Sequence, residues 1–360
     1  MGVFILKNVL TISMVIIGSI IGAGFASGQE INSFFYKYGA IGILGIIISI
    51  FLISLIIYKV FLIIKKENIN TYKNFLEIIF QKNNKKIKNN KTKKYFDISN
   101  ITNIIINIFL IISFFIMIAG FGAYFNQEYN INTLLGSSIL AVICLIIFMN
   151  NIEGLVKINE YLIPLLIFFM IIIGIKNINN LDLNQLNNKK IINNFFLSII
   201  SGIIYASYNI ILLNPVLITL KNKIKKNNIF LIAFFSGIIL FILALIIYFL
   251  LINIKTNIEQ FEMPAVYVVG KYFPGFKRAY EFIILTSILT TAISEGISVL
   301  ENTCKSKKSY TQFAIILCIT SVIFSKIGFS NLINLLYPIF GILGFFQIFM
   351  ILKYKIITKN

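Results

Sequence analysis

Ten long apolar runs, separated by short polar or basic stretches, limit what this chain can fold into. Each run is close to the roughly 20 residues that a helix needs to cross the hydrocarbon core of a bilayer. Only 12% of the 360 residues are charged, against about 25% in soluble domains. The sequence therefore predicts an all-α polytopic membrane protein, with a single transmembrane domain over 1–360 and the lipid bilayer as its main partner.

The predicted spans begin and end at charged, Asn, Gly or Pro clusters. The first run could also be a secretory signal peptide, because Gly24 and Ala26 before Ser27 suit a cleavage site. Only Lys7 precedes it, however, so we interpret it as a span. The ten segments lie at about 8–36, 39–64, 98–126, 131–149, 158–176, 194–220, 228–252, 276–301, 309–327 and 330–353.

The net charge of +19 is distributed unevenly between the two sides of the membrane. With an even number of spans, 23 of the 32 basic residues fall on the side of the termini and nine on the other. Positively charged loops favour the cytoplasm, so both termini are predicted to be cytoplasmic in a cell membrane. The charge is then an orientation signal, and no nucleic-acid partner is needed to explain it.

The longest basic loop, 65–97, carries an amphipathic pattern. Tyr72, Phe75, Leu76 and Ile79 follow helical spacing among lysines. This pattern predicts a helix on the membrane surface; a solvated basic loop is the alternative.

The chain divides near its midpoint into two halves of five spans, about 1–180 and 190–360. An odd number of spans in each half gives the halves inverted topology, which is typical of secondary transporters whose sites form at interrupted helices. The first span contains GSIIGAGFASGQE at 18–30, and the sixth contains YASYN at 205–209 followed by Pro215. Glycine, proline and polar residues weaken a helix at membrane depth, so both helices are predicted to be broken. The alternative for the glycines is GxxxG helix packing.

A broken first helix would expose backbone N–H groups that suit a carboxylate, while the sixth helix would offer carbonyls and polar side chains to an ammonium or hydroxyl group. The two segments together predict a site for a small zwitterion such as an amino acid, although Tyr205 and Tyr208 could instead serve only packing. The candidate substrate-binding residues are Gly22, Ala23, Gly24, Phe25, Ala26, Ser27, Gly28, Tyr205, Ser207, Tyr208 and Asn209.

Glu30 and Glu295 are the two acids that we place inside spans. A carboxylate at membrane depth must be paired or protonated, so each is a candidate proton carrier in a chain without histidine. Glu30 could instead cap or gate the outer vestibule, and Glu295 could form a buried pair with Lys157. The three cysteines show no metal-ligand spacing.

The eighth span and the segment before it carry further polar signals. Ser287, Thr291, Ser294, Glu295 and Ser298 follow helical periodicity and are predicted to share one inward face. The segment from Glu262 to Pro274 is predicted to contain a short external helix that starts at Pro264 and covers the vestibule.

The motif GSIIGAG at 18–24 resembles the first helix of the amino acid/polyamine/organocation transporter superfamily. The longer string GAGFASGQE at 22–30, with Phe34, Phe35, Tyr38 and Gly39, is similar to YkvI-type membrane proteins, which are placed with LeuT-like transporters. The segment NIEG at 151–154, with Pro164, resembles the start of the fifth helix in sodium-coupled neurotransmitter-type transporters.

This resemblance implies unwound first and sixth helices, alternating access and a sodium site between the first and eighth helices. The Na⁺ ligands would be carbonyls of Gly18 and Ile21 with hydroxyls of Thr290 and Thr291, since hard oxygen ligands suit a hard cation. Hydroxyls bonded back to their own helix are the alternative. The cation-coupling candidates are Glu30, Glu295, Thr290, Thr291, Ser294, Gly18 and Ile21.

The leading functional hypothesis is a secondary active transporter, an H⁺- or Na⁺-coupled symporter of a small zwitterionic solute. The alternative is a transporter-like membrane receptor that senses a small ligand without moving it. An enzyme is not expected, because the intramembrane acids are far apart in sequence and no nucleophile, metal cluster or phosphate loop accompanies them. No cofactor other than the coupling ion is expected.

Overall fold

The computed structural model describes residues 2–81, 98–150, 159–179, 181, 194–254, 257–304 and 306–355, and these contain helices and no strands. The α-helices are α1 (Gly2–Ile20), α2 (Ala23–Ala26), α3 (Gln29–Phe34), α4 (Gly42–Glu67), α5 (Tyr72–Gln81), α6 (Ile98–Tyr129), α7 (Thr133–Asn150), α8 (Asn159–Ile178), α9 (Phe195–Thr219), α10 (Ile229–Ile252), α11 (Pro264–Tyr272), α12 (Pro274–Thr303), α13 (Lys307–Phe324) and α14 (Phe329–Lys353).

Seven helices in the described part of the chain are long and apolar enough to cross a membrane, namely those at Tyr36–Glu67, Ile104–Tyr129, Phe195–Asn222, Lys226–Ile252, Pro274–Thr303, Lys307–Ile327 and Phe329–Lys353. Shorter apolar helices lie at the other predicted spans, at Leu6–Ile20, Thr133–Met149 and Ile163–Ile178. Large apolar side chains such as Phe51, Phe196 and Ile342 are about two-thirds exposed on the outer surface of the bundle, as expected for a protein embedded in lipid. The all-α polytopic fold is confirmed.

Contacts between the long helices recur when each helix is exchanged for its counterpart in the other predicted half of the chain. The counterparts are α1 and α9, α4 and α10, α6 and α12, and α8 and α14. Helix α4 packs on α9 as α10 packs on α1, and α9 packs on α14 as α1 packs on α8. Helix α12 likewise packs on α8 as α6 packs on α14. A five-plus-five arrangement would produce such a repetition, and the division into two halves stays a prediction.

The predicted break in the sixth helix is wrong, because α9 is continuous from Phe195 to Thr219 with Pro215 inside it. Its polar side chains bond to the helix that carries them: Ser207 Oγ donates to Ile203 O at 2.7 Å, and Asn209 Nδ2 donates to Tyr205 O at 3.0 Å. Such back-bonding lets polar residues sit inside a helix without opening it.

The predicted amphipathic helix is present as α5, which excludes the plain basic loop over these residues, but its apolar face packs against the bundle. Phe75, Leu76 and Ile79 are fully buried, and the Phe80 ring stacks on Phe346 of α14 at a centroid distance of 5.7 Å. The amphipathic face that the sequence shows is therefore turned toward α6, α9 and α14.

Candidate functional site

The first helix is interrupted where its glycines predict. Helix α1 ends at Ile20, and the N–H of Gly22 bonds to Ile20 O at 3.0 Å, so that it does not continue the helix by bonding to Gly18. One short turn, α2, follows, and Gly28 then takes a positive φ of 81° before α3 begins. Only glycine adopts that backbone without strain. The break leaves carbonyls of the last turn of α1 without helical partners.

A cavity of about 1670 Å³ extends along α1 to this break. Its mouth is lined by Lys7, Lys223 and Asn302, near the start of α1 and the ends of α9 and α12. Its inner end is lined by Glu30 and Tyr337. The mouth lies on the side that the charge distribution predicts to be cytoplasmic.

Glu30 is the buried acid at the inner end of the cavity, with 3% of its surface exposed. The hydroxyl of Tyr208 in α9 donates to its Oε2 at 2.5 Å. The rest of the side chain lies against Gly24, where an added Cβ would collide with the carboxylate, and the backbone N–H of Phe25 faces the same group. The Phe25 amide, one of those predicted to receive a substrate carboxylate, therefore faces a carboxylate of the protein.

Aromatic rings surround this carboxylate. The Tyr208 and Tyr337 rings lie 4.6 Å apart between centroids, and Phe34 lies 5.6 Å from Tyr208. The Tyr205 ring contacts Tyr208 edge-on at 5.3 Å. The Tyr205 hydroxyl is buried near Glu30 but makes no hydrogen bond of ordinary geometry with any described residue. Tyr208 and Tyr337 line the cavity, whereas Tyr205 lies behind them.

Glu295 of α12 is the second carboxylate of the cavity, with 7% of its surface exposed. Ser113 of α6 donates to its Oε1 at 2.5 Å, and its buried Oε2 has no hydrogen-bond partner among the described residues. The predicted alternative, a pair with Lys157, lies outside the described residues, as does the segment 151–154. Tyr337 is within electrostatic reach of both Glu30 and Glu295.

The structure brings part of the predicted substrate site to the cavity. Gly22, Tyr208 and Asn209 line it. The remaining candidates lie behind its wall in this conformation; Ser27, for example, donates to Gly24 O at 3.1 Å. These remaining residues are Ala23, Gly24, Phe25, Ala26, Ser27, Gly28, Tyr205 and Ser207.

The predicted cation-coupling residues divide in a similar way. Gly18, Thr291, Ser294, Glu295 and Glu30 line the cavity. Thr290 lies outside the lining and donates to the carbonyls of Thr286 and Ser287 at 2.9 and 3.2 Å, as the back-bonding alternative predicts. Ile21 is also outside the lining. The described residues contain no group of three or more acids or cysteines that could hold a metal ion.

On the side of the break away from the cavity mouth, helix α2 and the residue after it are bonded to α11 and α12, which closes that side. The N–H of Ala265 in α11 donates to Ser27 O at 2.8 Å, and the Tyr280 hydroxyl of α12 donates to Ala26 O at 2.6 Å. Helix α11 begins at Pro264, which confirms the predicted short helix at this position. Lys277 of α12 forms an ion pair of 2.7 Å with Glu128 of α6 on the same side.

Three polar residues were not identified from the sequence. Glu281, also in α12, is a third buried acid within a span, at 6% exposure, so the placement of only Glu30 and Glu295 inside spans is wrong. Glu281 lies 3.6 Å from Lys277, one helical turn away, and this spacing was the available signal. Ser113 and Tyr337 carry no such signal, since only the packing of α6 and α14 brings them to the acids.

No family model matches the chain. It is 26% identical to the membrane protein YkvI of Bacillus subtilis (strain 168) over 337 residues, covering 92% of this chain and 91% of YkvI. It is also 26% identical to the protein YyaD of the same organism over 361 residues, covering 96% of each.

Among solved structures, the chain is similar to the manganese transporter of Eremococcus coleocola in complex with an aromatic bis-isothiourea compound. The TM-score is 0.44 at 12% identity, over 94% of this chain and 70% of that one. The similarity to YkvI that the string at 22–39 predicts extends over nearly the full sequence.

Proposed function

We propose that this protein is a secondary transporter that moves a small solute across the cell membrane by alternating access. The observation that carries the proposal is the cavity of about 1670 Å³ that ends at the broken first helix, with Glu30 at its inner end. Interrupted helices that bear polar groups at membrane depth mark the binding sites of such transporters.

The conformation is one of the two states that alternating access requires. The cavity is lined at its mouth by Lys7 and Lys223, while contacts of Ser27 with Ala265 and of Ala26 with Tyr280 close the other side of the break. Opening that side would require α2 and α3 to separate from α11 and α12. Both termini would then be cytoplasmic, and this conformation would face inward.

The finer proposal is an H⁺- or Na⁺-coupled symporter of a small zwitterionic solute such as an amino acid. Glu30 and Glu295 supply carboxylates that could exchange a proton or a cation with the cavity. Gly18, Thr291 and Ser294 add backbone and hydroxyl oxygens to the same cavity lining, and hard oxygen ligands suit Na⁺.

The test is uptake by purified protein in liposomes under imposed proton or sodium gradients. A panel of labelled amino acids and amines is offered with each gradient and with none. Gradient-dependent accumulation of one solute supports the proposal. Ligand-induced thermal stabilisation without any accumulation would instead indicate the receptor alternative.

A further inference from the structure

The inner part of the cavity is acidic. Its lining contains two basic side chains among the described residues, Lys7 and Lys223, and both lie at the mouth. Glu30 and Glu295 lie at depth, each more than nine-tenths buried. Carboxylates in such a position favour a positively charged partner.

One of the backbone groups that could have balanced a substrate carboxylate, the N–H of Phe25, already faces a carboxylate of the protein. Glu30 lies against Gly24, with the N–H of Phe25 facing it and the Tyr208 hydroxyl bonded to it. A carboxylate placed beside this group would meet a like charge at membrane depth, and the repulsion would be strong because little water is present to screen it.

Two further observations indicate that a ligand bound in this part of the cavity would carry a positive charge. The buried Oε2 of Glu295 faces no hydrogen-bond donor among the described residues, although this acid lines the cavity. The Tyr208 and Tyr337 rings also line the cavity, 4.6 Å apart between centroids. Tyrosine rings attract ammonium groups through their electron-rich faces.

We propose that this site recognises the ammonium group of an organic amine, with Glu30 as its counter-ion, the Tyr208 and Tyr337 rings against it, and Glu295 as a second acceptor. An amino acid meets the requirement through its ammonium group, and a primary amine without a carboxylate meets it equally. The inference rests on the proposed function for its site, but binding can be measured without any flux.

The experiment compares matched ligands on purified full-length protein in detergent. Two series are used: leucine, 3-methylbutylamine and N-acetylleucine; and tyrosine, tyramine and N-acetyltyrosine. Within each series the side chain is constant while the carboxylate or the ammonium is removed. Thermal unfolding is followed at increasing ligand concentration for the wild type, Glu30→Gln and Glu281→Gln. Glu281→Gln is the matched control, because it also removes a buried carboxylate but one outside the cavity lining.

In at least one series, the amine is expected to stabilise the wild type while the N-acetyl compound does not. Glu30→Gln should weaken amine binding about tenfold or more, as expected for loss of a charged hydrogen-bond partner, and Glu281→Gln should leave it unchanged. The inference is overturned if neither amine binds, if an N-acetyl compound binds as well as its amine, or if Glu30→Gln and Glu281→Gln weaken binding equally. Amine binding without gradient-driven uptake would support this inference and count against transport.

Discussion

The hydroxyl of Tyr208 donates a hydrogen bond of 2.5 Å to the Oε2 of Glu30, joining α9 to the broken first helix. These residues are 178 positions apart in sequence and belong to the first and sixth predicted spans. Both side chains line the cavity. Because the hydrogen bond connects them, a change at Glu30 can be transmitted directly to α9.

Replacing Tyr208 by phenylalanine should reveal what this bond contributes. The variant leaves a buried carboxylate with one donor fewer, which should destabilise the protein by about 1–3 kcal/mol. Thermal unfolding in detergent measures the change. Tyr205→Phe is the comparison, because its hydroxyl makes no hydrogen bond of ordinary geometry among the described residues, and it should cost less. Equal losses in the two variants would contradict the assigned role of Tyr208.

The glycines of the break should differ in their tolerance of a methyl group. A Cβ at Gly24 would collide with the end of the Glu30 side chain, whereas a Cβ at Gly22 would meet nothing within 4 Å. Gly24→Ala should therefore stay folded, since a flexible side chain can move, but should displace the carboxylate and weaken amine binding several-fold. Gly22→Ala should bind nearly as the wild type does. The reverse order in a binding titration would refute this account of the site.

Amine binding should weaken as the pH is lowered, because protonation of Glu30 removes the negative charge that holds the ammonium. Glu30→Gln has no such charge to lose and should show a flatter pH profile along with weaker binding. Binding titrations at several pH values provide the comparison. If the pH profile of Glu30→Gln has the same slope as that of the wild type, Glu30 is not the titrating counter-ion of the ammonium group. Glu295 would then be the residue to test for this role.

A cysteine placed at Gly22 should report which side the cavity faces. Cys304 is half-buried, while Cys144 and Cys318 are buried, so a variant without these three provides the background. In membrane vesicles, an impermeant maleimide should label Gly22→Cys from the cytoplasmic side. Adding Tyr280→Phe, which removes the 2.6 Å bond to Ala26, should increase labelling from outside. Labelling of the single variant only from outside would reverse the proposed orientation.

The sequence alone predicts the features that depend on local composition. Four glycines at 18–28 weaken the first helix enough to predict its break, and Pro264 marks the start of α11. Composition fails at α9, where Ser207 and Asn209 suggest a break but bond to their own helix. It also fails where partners come from distant helices. Ser113 and Tyr337 have no motif, and only the packing of α6 and α14 places them near Glu30 and Glu295.

The account is tested most directly by gradient-driven uptake in liposomes that contain the wild type, Glu30→Gln or Glu281→Gln. A proton or sodium gradient is imposed, and labelled leucine, tyrosine, 3-methylbutylamine and tyramine are each offered. We expect the wild type and Glu281→Gln to accumulate at least one of these solutes above its external concentration, and Glu30→Gln to lose that accumulation. No accumulation by the wild type under either gradient, or equal accumulation by Glu30→Gln, would contradict the account.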